Sequence, residues 1–80
     1  MKIRVLCFGI TKELLGGFEQ SFELAKGSKV IDLKQLLLVK NQTFERLASL
    51  RIAINEEYCE DETEIYENDE VVLIPPVSGG

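Results

Sequence analysis

Four apolar residues, three of them β-branched, run straight into two prolines: Val71-Val72-Leu73-Ile74-Pro75-Pro76. A run of this kind reads as a strand at the middle of a sheet or covered on both faces. The prolines stop it abruptly, since neither has a backbone N–H to donate to a ladder. Everything before them must therefore build the neighbours of one buried strand. Beyond the prolines, Val77-Ser78-Gly79-Gly80 has nothing left to pair with. Residues 1–74 are expected to form one domain. Residues 75–80 are expected to form an extended flexible arm reaching roughly 20 Å, at about 3.3 Å per residue.

The neighbours are legible upstream. From Lys2 to Phe8 the chain alternates, with Ile3, Val5 and Cys7 on one side and Lys2, Arg4, Leu6 and Phe8 on the other. That pattern predicts a strand, and its half-apolar second face predicts a central position or an end that meets a partner. Thr11 to Leu15 can make a helical turn closed by Gly16-Gly17. Phe18, Gln20, Phe22 and Leu24 then alternate with acids and Ser21 as a second strand, forming a hairpin with the first.

After Gly27-Ser28 the spacing of Val30, Leu33, Leu36 and Leu37 changes to that of a helix, with Asp32 in its first turn and Lys40 near its end. A second helical piece is expected over Thr43 to Ser49, with Phe44, Leu47 and Ala48 on one side. Arg51 to Asn55 reads as a strand, Asn55-Glu56 as a turn into a short strand around Tyr58, and Ile65-Tyr66 as a further short piece before Asn68-Asp69. This order predicts an α+β roll in which a mixed sheet packs one face on the main helix. If the last strand lies parallel to the first, the connection between them contains everything else. That is the β-grasp arrangement, although periodicity alone does not separate it from other small α+β folds.

Composition removes many chemistries. A chain of 80 residues, 45% of them hydrophobic, supports one core and little space for a deep pocket. It has no histidine and only Cys7 and Cys59, so it offers no imidazole base, no Cys-His or Ser-His machinery, no histidine metal ligand and no all-cysteine zinc site. The cysteines stand too far apart in sequence for a CxxC pair, and both are expected to be reduced thiols, one of them in the core. Cys59 lies among acids, which disfavours a reactive thiolate.

No apolar run approaches the length that crosses a bilayer, and the N-terminus alternates charge into its apolar stretch; a cytoplasmic location and no membrane partner are expected. The net charge of −5 divides unevenly: residues 1–55 hold all nine Lys and Arg against five acids, and residues 56–80 hold nine acids and no base. Nucleic acid is an unfavourable partner for such a chain. The acidic stretch reads either as solvated turns or as a surface that steers a basic protein.

The arm is the remaining chemical feature. Two prolines hold it extended, which lowers the entropy lost on entering a cleft. Two glycines keep its end thin enough for a narrow channel to enclose. It presents one unusual group, the carboxylate of Gly80, and adenylation is the simplest way to turn a carboxylate into an electrophile.

The segment Asn68-Asp69-Glu70-Val71-Val72-Leu73-Ile74-Pro75-Pro76-Val77-Ser78-Gly79-Gly80 resembles the C-terminal signature of the molybdopterin synthase small subunits, the MoaD type of ubiquitin-like β-grasp sulfur carrier. The opening KIRVLCFGITKELLGG and Ala53-Ile54-Asn55 resemble the same family, while residues 25–50 match it in pattern only. The resemblance implies a sulfur carrier with no independent catalytic site and no permanently bound cofactor. It implies that an E1-like partner uses ATP to adenylate Gly80, that the acyl group becomes a thiocarboxylate, and that this sulfur passes to cyclic pyranopterin monophosphate to form the dithiolene. A large catalytic subunit and a 2+2 heterotetramer are implied as well. Gly80 would be the acyl carrier, Gly79 would give access, and Pro75, Pro76, Val77 and Ser78 would make the arm.

Phe8, at the end of the first strand, is a candidate docking residue, with a plain core phenylalanine as the competing reading. Two other functions share the fold and the Gly-Gly ending: a thiamine-pathway sulfur carrier and a ubiquitin-like protein modifier. An interaction module with an inert tail is the remaining alternative.

Overall fold

The computed structural model describes residues 1–46 and 50–75. The elements run in the order β1 (Lys2–Cys7), α1 (Ile10–Leu15), β2 (Glu19–Glu23), α2 (Val30–Lys40), a 3-10 turn (Gln42–Arg46), β3 (Arg51–Ile54), β4 (Glu57–Cys59) and β5 (Glu70–Ile74). They form one five-stranded sheet in the order β2-β1-β5-β3-β4. β1 and β5 pair in parallel at the centre, and every other pairing is antiparallel. This is the mixed sheet with a helix of the ubiquitin-like β-grasp fold.

Alternation decides which face is buried. Ile3, Val5 and Cys7 of β1, Val71 and Leu73 of β5, and Ile52 and Ile54 of β3 point to the same side and are buried. The helix α2 meets them with Val30, Leu33 and Leu37, and Phe22, Phe44 and Ile65 close the cluster. Its start is held by the Asp32 carboxylate, which accepts the Lys29 backbone N–H at 2.8 Å, an acceptor placed where the first turn has free donors. α1 ends at Gly16, whose φ of +82° is the left-handed geometry that closes a helix.

Several expectations change. Val71 to Ile74 is central but is not covered on both faces: Val71 and Leu73 are buried, while Val72 and Ile74 are only partly covered. The single main helix can shield one side of the sheet, and no other element lies on the opposite side among the described residues. Phe18, expected as the first apolar position of the second strand, is exposed, because β2 begins only at Glu19. Ile65-Tyr66 forms no strand of its own. A lone bridge between Lys29 and Glu64 brings the loop against the start of α2, burying Ile65 and leaving Tyr66 outside. The expected helical piece over Thr43 to Ser49 is a 3-10 turn as far as Arg46, and Leu47 and Ala48 lie outside the described residues.

Both cysteines are free, and Cys7 is the buried one. No helix among the described residues is long and apolar enough to cross a membrane.

Candidate functional site at the root of the arm

The parallel pairing of β1 and β5 determines where Pro75 sits. Leu6 lies opposite Val72 and Cys7 opposite Leu73, so the register, carried two residues further, sets Phe8 beside Ile74 and Gly9 beside Pro75. A Cβ built on Gly9 would stand 3.1 Å from Pro75 Cγ, and Gly9 has φ +56°. Both the close approach and the backbone conformation favour glycine. Pro75 therefore leaves the sheet packed against the end of β1.

Phe8 is held at this point by a residue the sequence did not single out. The hydroxyl of Thr11, fully buried, donates to the Phe8 carbonyl at 2.6 Å and accepts the Phe8 N–H at 3.0 Å. Thr11 Oγ1 thereby satisfies the Phe8 N–H and caps the turn that ends β1. The signal available in the sequence was a threonine in the first turn of a short helix, a common side-chain-to-backbone pattern that does not announce its target. Phe8 is 47% exposed, which removes the core reading, and its ring meets Phe18 edge-on with centroids 6.3 Å apart.

Beside this aromatic pair the uncovered face of the sheet carries an apolar row. Leu6 pairs with Val72, Val72 with Ala53, and Ala53 with Tyr58, giving one line across β1, β5, β3 and β4. Ile74 pairs with Arg51 in the next line toward the arm, and the Arg51 guanidinium sits 4.4 Å from the centroid of the Tyr58 ring. A shallow groove of about 290 Å³ runs between Ala53, Val72, Ile74 and Tyr58, with Glu56 and Glu70 at its rim. An apolar strip framed by charge suits contact with another protein better than contact with water.

Of the residues expected to act, Phe8 and Pro75 are thus brought together at one end of the two central strands. Pro76, Val77, Ser78, Gly79 and Gly80 lie outside the described residues. No group of three or more Cys, Asp or Glu suited to a metal ion occurs among the described residues. Burial raises the Cys7 thiol above its ordinary value, so it stays protonated and inert.

A five-stranded mixed sheet packed on one helix, its central strand running into Pro75 beside a partly covered apolar row, defines a β-grasp protein of the ubiquitin-like class. The chain belongs to the ThiS family, whose pattern matches residues 5–80. A molybdopterin synthase sulfur carrier subunit of Chlamydomonas reinhardtii is 35% identical over 83 residues, spanning 100% of both chains. A Pyrococcus furiosus chain described as subunit 1 of a molybdopterin converting factor superposes with a TM-score of 0.86 at 28% identity, covering 96% of this chain and 99% of that one. A chain from the complex of subunits 1 and 2 of the Helicobacter pylori molybdopterin-converting factor superposes with a TM-score of 0.70 at 25% identity, over 100% of each chain.

Proposed function

We propose that this protein is the sulfur carrier subunit of a molybdopterin synthase and that its reacting group is the carboxylate of Gly80. The observation that carries the reading is the root of the arm: β5 runs without a break into Pro75, packed on Gly9 and flanked by the outward-facing Phe8. A partner that grips the apolar strip would receive the arm at a set position and direction. The likeness to sulfur carrier subunits over whole chains supports the same reading.

In this role the Gly80 carboxylate attacks the α-phosphate of ATP on an E1-like partner and releases pyrophosphate. Hydrosulfide then attacks the acyl carbon, displaces AMP and leaves a thiocarboxylate. Inside a large subunit the thiocarboxylate sulfur next bonds to a carbon of cyclic pyranopterin monophosphate as an oxygen substituent leaves that carbon, and water cleaves the acyl–sulfur bond, leaving sulfur on the pterin and returning the carboxylate. Pro75, Pro76, Val77 and Ser78 serve as the stiff spacer, Gly79 lets the channel close on the backbone, and Phe8 docks at the rim. The complex reported for the Helicobacter pylori relative supports a large-subunit partner; a 2+2 assembly and a cytoplasmic setting belong to the same proposal. In this reading ATP and the pyranopterin substrate are handled by the partners.

Intact-mass measurement of the protein isolated from cells tests the reading. A species heavier by the difference between sulfur and oxygen, absent when Gly80 is deleted, is expected. Adducts of high mass joined to protein lysines would instead identify a modifier, and an unmodified terminus under all conditions would overturn the carrier role. Reconstitution with a molybdopterin large subunit or with a thiamine-pathway synthase separates the two carrier functions.

A further inference from the structure

The free edge of the sheet at β4 and the groove on its helix-bearing side form a second surface, on the other face from the apolar row. Asn55 N–H donates to the Glu70 carbonyl at 2.9 Å, which turns the hydrogen-bonding groups of residues 51, 53 and 55 toward β5 and those of Ile52 and Ile54 toward β4. Ile54 and Ile52 therefore bond to Glu57 and Cys59. The N–H and C=O of Tyr58 are left pointing away from the sheet, open to another strand.

On the helix-bearing side of this edge lies a groove of about 360 Å³ whose apolar floor is Ile54, Cys59 and the ring of Tyr66. Tyr66 is 60% exposed there. Glu57 and Glu64 line the same groove, and neither has an ion-pair partner among the described residues. The acids on the neighbouring loop differ: Asp61 pairs with Lys34 at 2.6 Å and Glu62 with Lys29 at 3.1 Å. Negative charge is thus neutralised on the helix side of the loop and left uncompensated in the groove. On the opposite face the same edge is bordered by Glu56 and by Tyr58, whose ring is already covered by the Arg51 guanidinium at 4.4 Å, so the unoccupied pairing of ring and carboxylate is on the Tyr66 side.

We infer that β4 accepts an extended basic segment of a protein partner, added as a sixth strand with a Lys or Arg side chain laid into the Tyr66 groove. Main-chain bonds to Tyr58 hold the segment. The aliphatic stem of the cation covers Ile54 and Cys59, and its head reaches Glu57 and Glu64 while lying against the Tyr66 ring. Alternation along a strand sends every second side chain to the groove, so cations two residues apart fit best.

The test titrates a capped peptide of alternating lysine and valine, seven residues long, into the ¹⁵N-labelled full chain at low salt and tracks the amide shifts. Shifts centred on residues 57–59 and 63–66 are expected, with affinity falling at least fivefold in the Glu57→Gln/Glu64→Gln double variant and less than twofold in Asp61→Asn/Glu62→Gln. Deleting Gly80 should leave this binding unchanged, which separates it from the carrier reading. Equal losses in the two double variants, shifts spread over every acidic residue, or no shifts at all would overturn the inference. So would equal binding of a peptide with glutamate in place of lysine.

Discussion

The side-chain oxygen of Asn55 accepts the backbone N–H of Glu70 at 2.9 Å, tying the turn between β3 and β4 to the first residue of β5. The Asn55 amide also donates to Asp69 Oδ1 at 2.9 Å, and Asp69 Oδ2 accepts the Tyr66 N–H at 2.8 Å. One asparagine therefore sets where the central strand enters the sheet, and through the strand's fixed length, where Pro75 leaves it.

Replacing Asn55 should loosen that entry. Asn55→Ala removes both side-chain bonds and puts a Cβ-bearing residue without local hydrogen bonding at φ +52°. A loss of about 2–3 kcal/mol is expected in urea unfolding. Asn55→Gly tolerates the dihedral and should lose only about half as much; equal losses would assign the whole effect to the hydrogen bonds.

Glu56 is the second residue of the same turn and sits at φ +72°. Two left-handed residues make the tight hairpin that matches the twist of its strands, and glycine suits the second position. Glu56→Gly should therefore stabilise the fold by about 0.5–1 kcal/mol after the entropy cost of glycine is set against the relieved strain. Thermal unfolding would show a midpoint higher by about 2–8 °C.

Val71 and Val72 are identical neighbours with opposite surroundings. Val71→Asp places an unpaired carboxylate in the core and should cost more than about 4 kcal/mol or prevent folding. Val72→Asp faces the apolar row and should change stability by about 1 kcal/mol or less. Its expected effect is on the large synthase subunit, with binding weakened at least about tenfold in calorimetry. Unchanged affinity would remove the row from the interface.

Cys7 gives a pH signature. Its thiol is raised in the fold by burial, so the unfolded chain loses this proton first as pH increases. The contribution is fully present below the ordinary thiol value of 9.0 and is lost as pH rises from there through the folded value. Unfolding free energy measured against pH should fall more steeply above 9.0 in the native protein than in Cys7→Ala. Parallel curves would show that another group controls the alkaline limb.

Much of the fold is readable from single residues and their spacing. Alternation over Ile3, Val5 and Cys7, helical spacing over Val30, Leu33 and Leu37, and the turn chemistry of Gly16 and Asn55-Glu56 are local, and local sterics and hydrogen bonding act the same way in any context. The stop at Pro75 is equally local, since a missing N–H ends a ladder wherever it occurs. The family pattern spans these segments, matching residues 5–80.

Other features depend on what packs against what. Val72 and Val71 cannot be told apart by type, and only the strand order β2-β1-β5-β3-β4, with one main helix for two faces, leaves the former partly open. Phe8 and Phe18 can pass for core residues until the ends of β1 and β2 are known. Asn55 acts on Asp69 and Glu70, partners brought close by the fold, and the free edge at Tyr58 exists because the sheet stops at β4. Sequence determined the elements and the point where the sheet must end; the tertiary structure decided which faces stayed open, because burial is a property of neighbours that a residue does not carry with it.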